Sequence, residues 1–520
     1  MSASLKSVAA DALPPLSAAA RAAQAELERL LPGAVSARAS DRIAYARDMW
    51  PLALMWIRQG RIPTPPELVV WPKTEGQLQA VVRLARERAL PLVPYGAGSG
   101  VCGGTWAVKG GVSVDLKFLD ALEPVDRAAR TVDVGAGMLG EPLERRLDAQ
   151  GYTLGHFPSS IYMSTVGGWL AARSAGQLSG RYGKIEDMTL SVRAVLGTGE
   201  LVETPERPAS GVDLASLLIG SEGTLGFFTR ARLRVHPRPE ARAFRGAELP
   251  SVQAGLEAIR QIFRAGLRPA VVRLYDPFDT TFVGKGTPRT HRATPPSFQG
   301  AWERAVVPAL LRAVAPRTLG RPGLFNAAAA VLHKSRLILM FEGEAQRAAA
   351  EEEAARDICR SLGAKDLGEA PGQQWLAKRY DVSFRMSKIV EANAFADTME
   401  VAAPWEKVHE VYERVHQAAS PHAFVLCHFS HAYLEGCSLY FSFVGSGGSE
   451  AEMADRYDAL WRSALSAAVA AGANVSHHHG VGLLKAKALL GSLGEGSAAL
   501  RSLKQAFDPD GIMNPGKLGL

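Results

Sequence analysis

Residues 94–104 read Pro-Tyr-Gly-Ala-Gly-Ser-Gly-Val-Cys-Gly-Gly, a glycine-rich turn that follows a short apolar segment. The pattern G-x-G-x-x-G occurs at Gly98, Gly100 and Gly103. In a Rossmann fold this pattern opens a helix whose N-terminus holds a pyrophosphate. Here the chain continues into the alternating segment Val112–Leu116, which predicts a strand and no helix. We therefore expect the backbone N–H groups of the loop to face a pyrophosphate directly, with a plain surface turn as the alternative.

A β-α-β unit precedes the loop. Val69–Trp71 predicts a short strand, and Thr74 fits an N-cap with Gln77 three residues later, the spacing of a capping box. Apolar residues at helical spacing then continue to about Arg88. Pro91–Pro94 predicts the second strand, so the glycine turn lies at the end of this unit.

The composition is that of an ordinary globular chain, with 47% apolar and 21% charged residues among 520. The net charge is +7, but no run of five or more Lys/Arg occurs and the aromatic residues form no stacking ladder, so no nucleic-acid partner is expected. Four cysteines without a C-x-x-C pair favour a reduced, cytoplasmic setting. No segment reaches the length of a transmembrane helix, so we expect any membrane contact to be peripheral.

Three further clusters combine small residues with hydroxyl groups. They are Ser159–Thr165, Ala172–Ala175 and Glu222–Phe228. Small residues allow a backbone to approach a flat, phosphorylated ligand closely. The chain ends with a fourth landmark, Phe507-Asp-Pro-Asp-Gly-Ile-Met-Asn-Pro-Gly516.

Together with the glycine loop, these segments resemble the FAD-binding type-4 oxidases of the vanillyl-alcohol oxidase superfamily. That family includes D-lactate and D-2-hydroxyglutarate dehydrogenases and the alkyldihydroxyacetonephosphate synthases. The resemblance covers roughly residues 60–520 and implies an α+β fold. It implies a two-subdomain FAD-binding domain of the p-cresol methylhydroxylase (PCMH) type, an α+β cap domain with an antiparallel sheet, and a C-terminal segment that returns to the FAD domain. The implied boundaries are 1–60 for an N-terminal helical region, 61–240 for the FAD domain, 241–465 for the cap and 466–520 for the C-terminal segment.

The resemblance assigns FAD binding to four segments. Their residues are Pro94, Tyr95, Gly96, Ala97, Gly98, Ser99, Gly100, Ser159, Ser160, Ser164, Thr165, Ala172, Arg173, Ser174, Ala175, Glu222, Gly223, Thr224, Leu225, Gly226, Phe227 and Phe228. Some superfamily members tether FAD through a histidine in the first loop. Ser99 stands at about that place here, so we expect the FAD to be held non-covalently.

Within the family, two stretches point to the synthases. The dehydrogenases carry His-x-Gly-Asp-Gly-Asn-x-His in the cap and Glu-His-Gly near the C-terminus, which hold a divalent metal. Here the corresponding stretches are Cys427-His-Phe-Ser-His-Ala-Tyr433 and Ser476-His-His-His-Gly480. Tyr433 and the triple histidine resemble the synthases, as does Arg273. Arg385 matches a second synthase arginine less well, because the Leu-Arg-Asp continuation is missing. Ser159 also departs, standing where the synthases have aspartate.

By resemblance, the reaction replaces the acyl group of acyl-dihydroxyacetone phosphate with a fatty alcohol, without net oxidation. Tyr433 would assist proton removal from C1, and Arg273 and Arg385 would bind the polar headgroup. The flavin would serve as an electron sink rather than as an electron carrier. A cap with two arginines also suits a phosphate or carboxylate on chemical grounds, because guanidinium binds such groups through paired N–H donors. The expected substrate is therefore a small or lipid-like anion.

The triple histidine could supply proton transfer. In an extended run Val475–His479, His477 and His479 face one way and His478 the other. Imidazoles shuttle protons near neutral pH and could be the basic partner that Tyr433 needs.

Simpler interpretations stay open at this point. Arg273 could pair with Asp276 on a surface, and Tyr433 could be a core tyrosine. His428 and His431 could bind a metal with the triple histidine, although the carboxylate typical of the relatives is missing and we predict no metal.

Two other functions also remain: an FAD-dependent dehydrogenase or oxidase of a D-2-hydroxy acid such as D-lactate, and a catalytically silent flavin-binding protein at a membrane surface. Homodimer formation is left open. Residues 284–296, rich in Gly, Pro and Thr, are predicted to form a gate over the acyl path.

Overall fold

The computed structural model describes residues 13–207, 210–283, 322, 326, 333–380 and 394–520. The chain divides into two compact units, Met1–Arg238 with Ser476–Leu520, and Pro239–Val475. The predicted gate and Arg385 lie outside the described residues. Among the helices described, none is long and apolar enough to cross a membrane.

The helices and strands follow in chain order. The described helices are α1 (Ala18–Leu30), α2 (Ala39–Ala44), α3 (Pro51–Arg58), α4 (Glu75–Glu87), α5 (Gly140–Asp148), α6 (Val166–Ala172), α7 (Ser179–Tyr182), α8 (Ile185–Met188), α9 (Leu214–Leu218), α10 (Val252–Arg264), α11 (Pro277–Val283), α12 (Ala345–Ser361), α13 (Ala370–Lys378), α14 (Trp405–Ala419), α15 (Glu450–Ala470), α16 (Ala486–Leu493) and α17 (Gly496–Phe507). The described strands are β1 (Val35–Ser36), β2 (Leu68–Val70), β3 (Leu92–Tyr95), β4 (Val112–Asp115), β5 (Thr131–Gly135), β6 (Tyr152–Thr153), β7 (Thr189–Leu196), β8 (Leu201–Glu203), β9 (Gly226–Arg234), β10 (His236–Pro237), β11 (Ala241–Leu249), β12 (Val271–Tyr275), β13 (Ser335–Gly343), β14 (Lys365–Gly368), β15 (Ala394–Pro404), β16 (Phe424–Ala432) and β17 (Gly436–Ser446). The predicted start of the C-terminal segment at residue 466 falls inside α15.

The first unit contains two four-stranded sheets, each with its own core. In the sheet β1-β2-β4-β3, strands β2 and β3 run parallel to β4. The predicted β-α-β unit is confirmed, and Thr74 caps α4 by accepting a hydrogen bond at Oγ1 from Gln77 N at 3.1 Å. The second sheet, β5-β9-β7-β8, is antiparallel, and α6 packs on it through Trp169 and Leu170. The first sheet instead packs against α1 and α4.

The second unit is built on a seven-stranded antiparallel sheet in the order β14-β11-β13-β12-β16-β17-β15. Helices α10 and α14 cover one of its faces, and α11 and α13 contact the other face at Phe424 and Gly246. A Cβ at Gly255 of α10 would lie 2.5 Å from Leu274 Cδ1, and the ring of Tyr412 of α14 contacts that of Phe429 at 5.5 Å. Because side chains alternate along a strand, the residues beside Leu274 and Phe429 point to the opposite face. The predicted α+β fold with an antiparallel cap sheet is confirmed.

A buried carboxylate in α5 makes the stability of the first unit depend on pH. Glu144 is 7% exposed, accepts a hydrogen bond at Oε2 from Thr153 Oγ1 at 2.7 Å, and has its pKa raised to about 7 by burial. A raised folded-state pKa means that the folded protein binds the proton more tightly than the unfolded chain does. The stabilisation is therefore complete below about pH 4.5 and is lost as pH rises towards 7.

We expect Glu144→Gln to remove this loss, which amounts to at most about 3 kcal/mol between pH 4.5 and 7. The measurement is the free energy of unfolding by denaturant at several pH values. Glu141→Gln, on the same helix with a side chain 38% exposed, is the matched control. An identical pH slope in the Glu144 variant and the wild type would contradict the assignment.

Candidate active site

The glycine-rich loop connects β3 to β4 without a helix, as predicted, since residues 96–111 contain turns and bends only. Gly98 has φ +66°, and a Cβ there would lie 2.2 Å from the hydroxyl oxygen of Tyr95. Backbone conformation and space both exclude a side chain at this position. The loop also meets a second candidate segment, because a Cβ at Gly96 would lie 2.4 Å from Thr165 Oγ1.

Two side chains outside the predicted site hold this loop in place. Asp48 is buried; its Oδ2 accepts a hydrogen bond from Gly104 N at 3.0 Å and its Oδ1 accepts one from Trp50 N at 3.0 Å. Burial raises the pKa of the Asp48 carboxyl to about 6. Asn514, from the terminal motif, donates through Nδ2 to the carbonyl oxygens of Gly104 at 3.0 Å and Glu222 at 2.7 Å. The terminal motif therefore joins the glycine loop to the fourth candidate segment.

The hydroxyl groups of Ser164 and Thr165 in the second segment make hydrogen bonds within the protein. Thr165 caps α6, since its Oγ1 accepts from Gly168 N at 3.2 Å. Ser164 Oγ donates to the carbonyl oxygen of Ser160 at 2.9 Å and accepts from Trp169 Nε1 at 2.8 Å. These bonds fix the backbone at the start of α6, where the first N–H groups of a helix favour an anion.

The third segment, Ala172–Ala175, follows the end of α6. Arg173 has φ +54° and contacts Glu186 Oε1 through Nε at 3.2 Å. In the second segment, Ser159 Oγ accepts from Gln177 Nε2 at 3.1 Å. The Nε of Arg173 and the hydroxyl of Ser159 thus already contact the protein, although the Arg173 side chain is 52% exposed.

Glu222 holds the segment that follows the triple histidine. Its Oε1 accepts from Val481 N at 2.5 Å and its Oε2 from Gly482 N at 2.7 Å. Burial raises the pKa of Glu222 to about 7, opposed by these two bonds and by the charges of Lys485 and Lys517. The side chain of Glu222, which the resemblance assigns to the cofactor, therefore binds the backbone of the segment after the triple histidine.

We expect Glu222→Gln to loosen this segment, because an amide nitrogen cannot accept a hydrogen bond. Loss of one charge-assisted bond predicts hydrogen exchange about 10–100-fold faster at the amides of Val481 and Gly482. The amide of Leu489 in α16 should keep its exchange rate. Unchanged protection at residues 481 and 482 would show that Glu222 does not hold them.

The apolar residues of the fourth segment belong to the cores. Leu225, Phe227 and Phe228 are 2%, 1% and 5% exposed and pack in the two cores of the first unit. Contact with a cofactor would have to come from their backbone. Gly223, with φ +73°, instead brings the segment against the glycine loop, since a Cβ there would lie 2.5 Å from Pro94 Cγ.

A buried histidine that the sequence did not single out lies just before the second segment. His156 is fully buried, its ring contacts that of Trp169 at 4.6 Å, and neither ring nitrogen has a hydrogen-bond partner among the residues described. Burial and the charge of Lys184 lower its pKa to about 3, so the ring is neutral. Buried polar groups normally have partners, so the unpaired ring of His156 is an exception within the core of the first unit.

The triple histidine does not form the predicted extended run. The chain bends at residues 477–479, so neighbouring rings contact each other instead of alternating. His477 Nδ1 and His478 Nδ1 are 3.0 Å apart, and the rings of His478 and His479 are 4.5 Å apart. Lys184 Nζ fixes the bend by donating to the carbonyl oxygen of His477 at 2.9 Å. The three imidazoles therefore form one cluster in the first unit.

In the second unit, Arg273 pairs with a histidine. Its Nη2 lies 2.7 Å from His428 Nε2. The surface pair with Asp276 is wrong, because Asp276 is buried and accepts hydrogen bonds from Asp279 N at 2.7 Å and Cys427 N at 2.8 Å.

Tyr433 lies in the hairpin turn between β16 and β17. A bulge precedes it, where His431 has φ +51°. Tyr433 N donates to Gly436 O at 2.9 Å, and Trp405 Nε1 donates to the carbonyl oxygen of Tyr433 at 3.1 Å. The side chain is half-buried, so it is not a core tyrosine. A fixed backbone with a partly exposed phenol suits a proton-transfer group.

Within the described part of the chain, no group of three or more His, Cys, Asp or Glu residues could hold a metal ion. The alternative of a metal bound by His428, His431 and the triple histidine therefore has no support among these residues.

Residues 66–205 match the family model described as an FAD binding domain. Residues 238–518, more than half of the chain, match the model described as "FAD linked oxidases, C-terminal domain". The chain belongs to the FAD-linked oxidase family.

Within this family, the chain is similar to proteins with two kinds of activity. It is 30% identical over 488 residues to an alkyldihydroxyacetonephosphate synthase of Trypanosoma brucei brucei, covering 91% of this chain and 75% of the relative. A solved alkyldihydroxyacetonephosphate synthase structure matches with a TM-score of 0.76 and 26% identity, over 98% of this chain and 87% of that one. A glycolate oxidase subunit of Bacillus subtilis (strain 168) is 25% identical over 92% of both chains.

FAD is the cofactor of this FAD-linked oxidase family member. The residues of the first unit fit it: glycines that exclude side chains, and a loop backbone that Asp48 fixes at Gly104 N and Asn514 fixes at the carbonyl oxygen of Gly104. The residues that would hold it are the backbone of the glycine loop, the start of α6 and the segment around Gly223. When bound, FAD supplies an electrophilic ring system that accepts electron density.

We expect the FAD to be released when the protein is precipitated with acid. The reason is the serine at position 99, which offers no imidazole for a covalent tether in the first loop. Absorbance near the flavin maximum should appear entirely in the supernatant. Yellow colour that stays in the washed pellet would show a covalent bond.

Proposed function

We propose that this chain is an FAD-dependent alkyl transferase that replaces the acyl group of acyl-dihydroxyacetone phosphate with a fatty alcohol. Similarity to alkyldihydroxyacetonephosphate synthases over 91% of the chain supports this proposal. So do Tyr433 in a constrained turn and the cluster of three imidazoles.

The observation that carries the proposal is the pairing of His428 with Arg273. In the dehydrogenases that the chain resembles, a histidine-containing stretch of the cap holds a metal. Here His428, from the corresponding stretch, is 2.7 Å from a guanidinium, and a group so engaged is a poor metal ligand. The cap therefore offers a guanidinium, which binds a phosphate through paired donors.

The proposal gives each residue one task. Arg273 binds the phosphate of the substrate and fixes its orientation. Tyr433 gives its phenol proton to a base and, as the phenolate, takes the proton from C1. The imidazoles of His477, His478 and His479 carry protons to and from solvent near neutral pH. Arg385 contributes a second cationic group to headgroup binding.

The test is an anaerobic incubation with palmitoyl-dihydroxyacetone phosphate and radiolabelled hexadecanol. Label should enter an alkali-stable ether product, and free palmitate should appear in equal amount. Enzyme stripped of FAD is the control and should give no product. Release of palmitate without incorporation of label would contradict the proposal.

The second candidate is an oxidoreductase acting on a 2-hydroxy acid. It is favoured by the similarity to the glycolate oxidase subunit and by the fact that a guanidinium binds a carboxylate as well as a phosphate. Anaerobic mixing with D-lactate or D-2-hydroxyglutarate would bleach the flavin absorbance under this candidate only.

A further inference from the structure

We propose that His428 and Asp279 are positioning residues that fix the guanidinium of Arg273 for binding the anionic group of the substrate. The inference rests on the proposed function in one respect, the assignment of anion binding to Arg273. All three residues belong to the second unit.

The register of the sheet places these side chains on one face. Tyr275 pairs with His428 across β12 and β16, and His428 pairs with Tyr440 across β16 and β17. Arg273, two residues before Tyr275, points to the same face. This face lies opposite α10 and α14, and the His428 ring stacks on Tyr440 at 4.6 Å and 21°. The imidazole of His428 is therefore held by stacking as well as by its strand.

The chemistry of arginine fixes the protonation of His428. A guanidinium has donors only, so the Nη2 of Arg273 must donate to a lone pair on His428 Nε2 at 2.7 Å. His428 is then neutral and carries its proton on Nδ1. Burial and the charge of Arg273 both hold the pKa of His428 well below its usual value, which agrees with a neutral ring.

Asp279 stabilises this tautomer from the other side. Its Oδ2 lies 3.7 Å from His428 Nδ1, and both side chains are 8% exposed. This distance is too long for a direct hydrogen bond but places a carboxylate opposite the N–H group. Burial raises the pKa of Asp279 to about 7, opposed by the charge of Arg273. Asp279, His428 and Arg273 thus form one polar array, with His428 in the middle.

The array leaves part of the guanidinium available. The side chain of Arg273 is only half-buried, so an anion can reach part of it, whereas its Nε is buried and has no hydrogen-bond partner among the described residues. The Arg273 guanidinium also lies 5.4 Å from the centre of the Tyr275 ring. With Nη2 tied to His428, the plane of the guanidinium is set before substrate arrives, which reduces the entropy lost on binding an anion.

The experiment measures binding of dihydroxyacetone phosphate to the FAD-loaded protein by calorimetry. We expect His428→Leu to raise the Kd about 10–100-fold, because the guanidinium loses its acceptor. His428→Gln, whose amide oxygen can accept from Arg273, should stay within about 3-fold of the wild type. His409→Leu on the exposed side of α14 is the matched control, and the flavin spectrum should be the same in all variants.

A Kd for His428→Leu within 2-fold of wild type would overturn the inference, as would a glutamine variant as weak as the leucine variant. If His428→Leu fails to retain FAD, the same binding measurement is made with Asp279→Asn. Its Kd should rise about 3–10-fold, and an unchanged value would again overturn the inference.

Failure of the transferase proposal can be distinguished from failure of the positioning inference. If the wild type shows no alkyl exchange but binds D-lactate, the transferase proposal fails, and the same variants then test the array against a carboxylate. If the wild type binds neither anion, the array has no anion to position and the inference is wrong.

Discussion

Tyr433→Phe should lower the rate of alkyl-for-acyl exchange by about 10²–10⁴-fold, the usual contribution of a positioned acid–base group. The substitution removes the phenolic oxygen and leaves the ring. The turn should persist, because Tyr433 is held through its backbone by Gly436 and Trp405. The loss should therefore fall on kcat, with little change in KM, and is measured by initial rates with labelled hexadecanol.

Tyr152→Phe, the same chemical change on β6 of the first unit, is the control and should retain full activity. Both variants should keep one FAD per chain. Full exchange activity in the Tyr433 variant would remove this residue from the mechanism, whatever the outcome for the other site residues.

Gly96→Ala should abolish or strongly weaken FAD binding. The added Cβ would lie 2.4 Å from Thr165 Oγ1, which is the atom that caps α6. The clash can be relieved by moving the glycine loop away from the start of α6, or by rotating Thr165, which removes the cap of α6, so either response disturbs both cofactor segments. We expect the Kd for FAD to rise at least about 100-fold, as a displacement costing some 3 kcal/mol would require. Fluorescence of released flavin during titration of the apoprotein measures it.

Gly76→Ala is the matched control, because the nearest atom to its added Cβ is Thr74 Oγ1 at 4.0 Å. That change lies in α4 and should leave FAD binding unaltered while stabilising the helix slightly. Wild-type affinity for FAD in the Gly96 variant would show that the loop does not lie where the cofactor binds.

The local features of the fold were predictable from the sequence because their causes are local. The cap at Thr74, the strand Val112–Asp115 and the absence of a helix after the glycine loop follow from neighbouring residues. Motif resemblance supplied the α+β fold and the cofactor.

Other features depend on contacts that sequence spacing does not show. Asp48 binds Gly104 N, and Glu222 binds Val481 N, across 56 and 259 positions respectively. No local pattern marks either carboxylate as a ligand of a backbone amide. The predicted extended run Val475–His479 was wrong for a similar reason, since Lys184 binds the carbonyl oxygen of His477 from far along the chain.

The pairing of Arg273 with His428 was likewise hidden, because a sequence shows that both residues are near strands but not that their strands are neighbours. The register of β12 with β16 decides it. The open alternative of a metal role for His428 rested on the spacing of the histidines, which does not show the guanidinium of Arg273 beside it.

The most direct test of the central claim is the number of turnovers per bound flavin without any electron acceptor. Enzyme would be mixed anaerobically with palmitoyl-dihydroxyacetone phosphate and labelled hexadecanol, and ether product counted against FAD content. Exchange without net oxidation predicts product far in excess of flavin, with the oxidised flavin spectrum recovered when substrate is exhausted. Product that never exceeds one equivalent of flavin, with lasting bleaching of the spectrum, would contradict the account.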